Sequence, residues 1–134
     1  MRVLGVDFGR KKIGFALGES ESLIVFPLEV VNVPDNLVKA VEIVVAYIKK
    51  EGIDSCVVGL PLPPKGGESP QLLYTKEFVA ALIDAVIIPV STIDEAYSSK
   101  ESQRLKEEHS WKAEEDAIAA ALIVEQFFGQ IEKN

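Results

Sequence analysis

The sequence predicts an α/β fold built on one mixed β-sheet with helices on both of its faces. Two observations predict it. Three short β-rich runs open the chain in succession, and helix-like and strand-like patterns alternate after them. Residues 2–8 form the first apolar run and residues 12–18 the second, joined by the turn Gly9-Arg10-Lys11-Lys12. Residues 22–31 form the third, where Pro27 marks an edge or a bulge. These three make an antiparallel meander. Pro34-Asp35-Asn36 then opens a helix whose apolar positions are Leu37, Val38, Val41, Val44, Val45 and Ile48, and Gly52 stops it.

Residues 55–60 are a continuous apolar run of strand length, suited to a buried central strand. Residues 61–70 form a loop with four prolines and two glycines, ending in Ser69-Pro70, a good N-cap and first position for the next helix. Leu72, Val79, Leu82, Ile83 and Val86 give that helix its apolar face. Residues 87–92 are predicted as the fifth strand. Ser98-Ser99-Lys100-Glu101 matches a capping box for a short polar helix to residue 108, and residues 112–130 close the chain as an alanine-rich helix. Right-handed crossovers place the last two strands parallel to the first.

The 134 residues suit a single domain spanning 1–134. The one cysteine, Cys56, excludes an internal disulfide and any cysteine-based metal cluster, and its place in an apolar strand makes it packing. The net charge of −7 is unlike that of a basic protein that coats DNA, though bound divalent cations supply positive charge locally. The first apolar run holds Arg2 and Asp7 and is too short for a targeting signal, and no run approaches the ~18 to 20 residues of a membrane span. The expectation is a soluble, cytoplasmic protein with no membrane partner.

Three acids stand where chemistry collects. Asp7 lies near the end of the first strand, and a carboxylate in such an apolar run is costly unless paired, hydrogen-bonded or metal-bound. Asp94-Glu95 follows the predicted fifth strand, at the carboxyl ends of the parallel strands where open sheets hold ligands. Asp116 lies in the first turns of the last helix, before Ala117-Ile118-Ala119-Ala120-Ala121, whose small side chains let a helix approach a sheet closely. Each has a plainer reading: a turn acceptor for Asp7, a helix cap for Asp94, and a response to the helix macrodipole for Asp116. Together, Asp7, Glu95 and Asp116 form an all-oxygen set suited to Mg²⁺ or Mn²⁺, and two such ions can activate water and stabilise the leaving oxygen of a phosphodiester. Arg10, Lys11 and Lys12 in the first turn, with Lys65 in the long loop, suit phosphate contacts. His109 reads as a surface residue and Trp111 as a packing residue.

Asp7-Phe8-Gly9-Arg10-Lys11-Lys12-Ile13-Gly14, Val57-Val58-Gly59-Leu60-Pro61-Leu62, Pro89-Val90 through Asp94-Glu95, and Glu115-Asp116-Ala117-Ile118 occur in that order. They resemble the motifs of the YqgF/RuvX family of RNase H-like proteins across nearly the whole chain. Members are described as Holliday-junction resolvases and as nucleases that mature the 5′ end of 16S ribosomal RNA. The resemblance implies a three-layer RNase H-like fold with strand order 3-2-1-4-5 and metal-binding acids at Asp7, Glu95 and Asp116. It also implies a structured RNA substrate, with branched DNA as the alternative. Two departures stand out. Ala96 replaces the arginine that usually follows the acidic pair, and Leu62-Pro63-Pro64-Lys65-Gly66 replaces a loop usually carrying asparagine and aspartate. A non-catalytic RNA-binding assembly factor and a sugar-kinase-like ATPase remain as further classes. The second needs another lobe that this length does not supply.

Overall fold

The computed structural model describes residues 1–95, 104, 107–108 and 114–132. Its elements are β1 (Arg2–Phe8), β2 (Lys12–Glu19), β3 (Ile24–Asn32), α1 (Leu37–Glu51), β4 (Ser55–Pro61), α2 (Pro70–Ala85), β5 (Val90–Glu95) and α3 (Glu115–Glu132). The five strands form one sheet in the order β3-β2-β1-β4-β5. β2 runs antiparallel to β1 and β3, while β1, β4 and β5 are parallel. This is the order expected from the sequence.

Local chemistry sets the element ends. The Asn36 side chain accepts a hydrogen bond from the Lys39 amide at 3.1 Å, and Gly52 ends α1 at φ +62°, where a side chain would be strained. Ser69 caps α2 in the same way through the Leu72 amide, with Pro70 at the first helical position. Pro27 sits on the edge strand β3 beside a register shift between Phe15 and Ala16, so both expectations for it hold.

Two helical faces differ from expectation. Val38 is 66% exposed while Ala40 is buried, and Ile83 is 51% exposed while Phe78 is fully buried. In each helix the buried stripe is set by the sheet beneath it, which the apolar spacing alone does not locate.

The fifth strand also differs. It was expected at residues 87–92 and lies at Val90–Glu95. Pro89 brings no amide hydrogen to a ladder, and its carbonyl accepts from the Cys56 amide at 3.0 Å just before pairing starts at Cys56↔Val90. Pairing then continues as far as Pro61↔Glu95. Asp94 and Glu95 are therefore strand residues rather than the start of a following helix. Of the expected 98–108 helix, residues 104 and 107–108 are described and are helical, while the rest of it, Ala96, His109 and Trp111 lie outside the described residues. The last helix was expected from Lys112 and begins at Glu115, after the non-helical Glu114.

Side chains alternate across the pleat and divide the core in two. Leu4, Val6 and Phe8 of β1, with Cys56 and Val58 of β4, pack under α1 and α2. Val3, Val57 and Ile93 pack under α3 with Ala120, Ile123, Val124 and Phe128. By the same alternation Gly5 and Asp7, Gly59, and Glu95 belong to the α3 face.

Three glycines let α3 lie against the sheet. A methyl group on Gly14 would collide with the Asp116 carbonyl. One on Gly5 would lie 2.6 Å from the Ala120 carbonyl oxygen, and one on Gly18 would lie 2.8 Å from the Phe128 ring. Gly5→Ala is expected to cost about 1 to 3 kcal/mol by overpacking against helix backbone. Gly129→Ala, where nothing lies within 4 Å of the added carbon, should be neutral or up to about 1 kcal/mol stabilising. Urea unfolding of both variants checks this, and equal effects would contradict the close approach.

Candidate active site

Asp7 is the second-last residue of β1, and its cross-strand partner is Gly14. That glycine is the one pressed against the backbone of Asp116, so the contact that seats α3 also brings the Asp116 turn over the end of β1. Glu95 comes from β5, with β4 between it and β1. Val6 pairs with Val58, which places Gly59 level with Asp7. Glu95 Oε2 lies 2.8 Å from where a Gly59 Cβ would stand. The missing side chain leaves the carboxylate room to lean across β4 toward Asp7.

The result is a cavity of about 400 Å³ lined by Asp7, Glu95 and Asp116 together with Gly59, Lys11 and Lys12. The same three acids also border an adjoining space of about 330 Å³ with Leu62 and Glu115. Both lie at the carboxyl ends of β1, β4 and β5, where parallel strands place their ligands.

The electrostatics follow from this crowding. Burial pushes the Asp7 carboxyl up to about 8, and the nearby charges of Glu95 and Asp116 push the same way. Burial likewise raises Glu95 to about 7. Partly buried acids without enough countercharge take up protons, or a cation that serves the same purpose. An all-oxygen donor set with unbalanced negative charge fits a hard divalent cation. Among the described residues, no three acidic, histidine or cysteine side chains already form a closed ligand cage. The acids border a shared space and do not enclose a single point.

The predicted cations separate. Lys11 and Lys12 line the cavity. Their turn is closed by the Gly9 amide donating to the Lys12 carbonyl at 3.0 Å, and the Val33 amide donates to the Lys11 carbonyl at 2.8 Å. Arg10 turns away: its guanidinium carbon lies 4.1 Å from the Tyr74 ring centroid, and Nη1 is 3.5 Å from Asp35. Lys65 is exposed in the 62–69 loop and lines neither space.

Two residues at the cavity were not foreseen. Gly59 was visible in the sequence only as part of a motif, because its meaning lies in the carboxylate beside it. Gln71, in the first turn of α2, donates through Nε2 to the Phe8 carbonyl and to Thr75 Oγ1, each at 3.3 Å, and so ties α2 to the residue after Asp7. The Ser69-Pro70 cap fixes where that turn begins, and was the available signal.

Comparison with known proteins shows the family and the fold. A family model described as RuvX, Holliday junction resolvase, matches residues 1–130. A relative from Orientia tsutsugamushi named "Putative pre-16S rRNA nuclease" is 33% identical over 131 residues, covering 92% of this chain and 81% of its own. One of the same name from Anaplasma marginale is 37% identical over 134 residues, covering 93% and 82%. The fold is shared with Thermus thermophilus RuvC solved in complex with a Holliday junction, at a TM-score of 0.69 and 15% identity over 98% of this chain and 96% of that one.

The Asp7 shift has a measurable consequence. Folded Asp7 keeps its proton up to about pH 8, whereas an unfolded aspartate releases it near 4. Between these values the native state holds more protons, so raising the pH destabilises it, with a slope of up to about 1.4 kcal/mol per pH unit for one proton. In EDTA, wild-type stability should fall as pH rises through this window, and Asp7→Asn should fall distinctly less. Urea midpoints measured across the window decide it. Parallel curves for the two proteins would show that Asp7 carries no such strain.

Proposed function

The chain belongs to the RuvX family, and on that basis we propose that it is a divalent-metal-dependent endonuclease that hydrolyses phosphodiester bonds in structured RNA of the precursor 16S ribosomal type. One observation carries the reading: three acids from β1, β5 and α3 line a single cavity beside two lysines. Lys11 and Lys12 set positive charge beside three partly buried carboxylates in a protein of net charge −7, as a site that brings phosphate and cation together requires.

Each group then has a task. Lys11 and Lys12 hold phosphate oxygens at the mouth of the cavity and offset part of the net charge of −7. Asp7, Glu95 and Asp116 would hold one or two Mg²⁺ or Mn²⁺ ions, which when bound supply countercharge to the phosphate and lower the pKa of water. Gly59 keeps the path between Glu95 and Asp7 clear. Gln71 fixes the main chain directly after Asp7 and so limits how far that carboxylate can withdraw. Lys65, on its exposed turn, would meet more distant backbone. The reading places the protein in the cytoplasm with its nucleic acid, and no helix among the described residues is long and apolar enough to cross a membrane.

The family's description supports a second substrate, a four-way DNA junction. The same site would serve it, but paired nicks on opposite strands call for two copies related by symmetry. Incubation in Mn²⁺ with matched panels of structured RNA and four-way junctions, followed by mapping of the cuts, separates the two. Cuts at defined positions in the RNA are expected. Asp7→Asn, Glu95→Gln and Asp116→Asn should each lower them by at least ~100-fold, since even the outer partners of metal ligands are worth 10- to 100-fold. Unchanged cutting by all three variants would remove the site from the reaction.

A further inference from the structure

Arg10 precedes two lysines of the cavity yet does not line it. It is the outermost member of a column of flat groups. Phe78, fully buried, stacks on Phe8 with ring centroids 4.0 Å apart and planes 7° from parallel. Phe8 meets Tyr74 at 5.3 Å, and the Arg10 guanidinium lies over Tyr74 at 4.1 Å. Asp35 fixes the outer end: its Oδ1 lies 3.5 Å from Arg10 Nη1 and accepts from the Tyr74 hydroxyl at 3.5 Å. The column runs from the core to solvent, where the Arg10 side chain is 44% exposed.

We infer that the outer face of the Arg10 guanidinium is a stacking platform for an unpaired nucleobase of the substrate, next to the nucleotide whose phosphate Lys11 and Lys12 hold. The inference rests on the nuclease reading and names a subsite within it. One guanidinium nitrogen already faces the Asp35 carboxylate at 3.5 Å, a negative charge that disfavours a phosphate there, and Tyr74 covers the inner face, which leaves the outer planar face for an uncharged flat group. Bases stack on arginine planes and aromatic rings, and every base has a face to offer, so the subsite is tolerant of sequence. Tyr74 covers the inner face of the group and Asp35 contacts one of its nitrogens, which reduces the freedom left to lose on binding. The position is also right: Gln71, which lines the cavity, precedes Tyr74 by three residues on α2 and so shares its side of the helix.

The test uses wild type, Arg10→Lys and Arg10→Met, with Ca²⁺ replacing Mg²⁺. Binding is followed by fluorescence anisotropy. The probe is a labelled RNA hairpin with a six-nucleotide single-stranded 5′ flank, made intact and with each flank nucleotide in turn abasic; a DNA set of the same design asks whether the sugar matters. Both variants should bind the intact probe roughly five- to a hundredfold more weakly, lysine included, because it keeps the charge and loses the plane. One abasic position should weaken wild type by the same factor and abolish the difference between the proteins. Wild-type affinity in Arg10→Lys would overturn the platform, as would a loss that persists on every abasic probe. If wild type binds no probe, the nuclease reading falls and the platform with it. Binding with no response to any abasic position overturns the platform alone.

Discussion

The backbone of α3 rests directly on the sheet at Gly14 and Gly5, and the geometry of the cavity depends on that contact. Gly14 is at once the cross-strand neighbour of Asp7 and the seat of Asp116. A side chain there would lift the first turn of α3 and carry its carboxylate away from β1. The alternation of the strands does the rest. It sends Val3, Gly5 and Asp7 to one face and Leu4, Val6 and Phe8 to the other, so one short strand serves two cores and ends in an acid at the edge of the second.

This architecture concentrates negative charge where burial makes it expensive. Asp7 and Glu95 both hold their protons well above the usual carboxylate range. A purely structural acid at a strand end would gain a hydrogen-bond donor and a lowered pKa. Here the neighbours are other acids, with Lys11 and Lys12 at the border. The site is therefore in tension until a proton or a cation enters it, and a cation is the more useful occupant for phosphate chemistry.

Much of this was legible in the sequence. The turn at Gly9, the caps at Asn36 and Ser69 and the stop at Gly52 each follow from local chemistry, crossover handedness makes β4 and β5 parallel to β1, and the strand order is what the resemblance implies. The candidate set Asp7, Glu95 and Asp116 was legible too, because an acid at the end of an apolar strand demands a partner. What was not legible depends on partners distant in sequence. Ile87 and Ile88 look like a strand, yet Ile87 is fully exposed, because pairing with β4 begins only after Pro89. Gly59 carries no sign of the carboxylate it makes room for. Arg10, Lys11 and Lys12 are alike by composition, and only the fold shows that two face the acids while the third lies on an aromatic ring.

The central claim is that Asp7, Glu95 and Asp116 form one cation site. Crystals grown with Mn²⁺ and measured for anomalous scattering at the manganese edge test it most directly. At least one anomalous peak is expected within coordination distance of carboxylate oxygens from Asp7 and one or both of the other acids, and it should vanish in Asp7→Asn crystals. A well-ordered cavity with no peak at saturating Mn²⁺, or a peak that survives Asp7→Asn unchanged, would contradict the account.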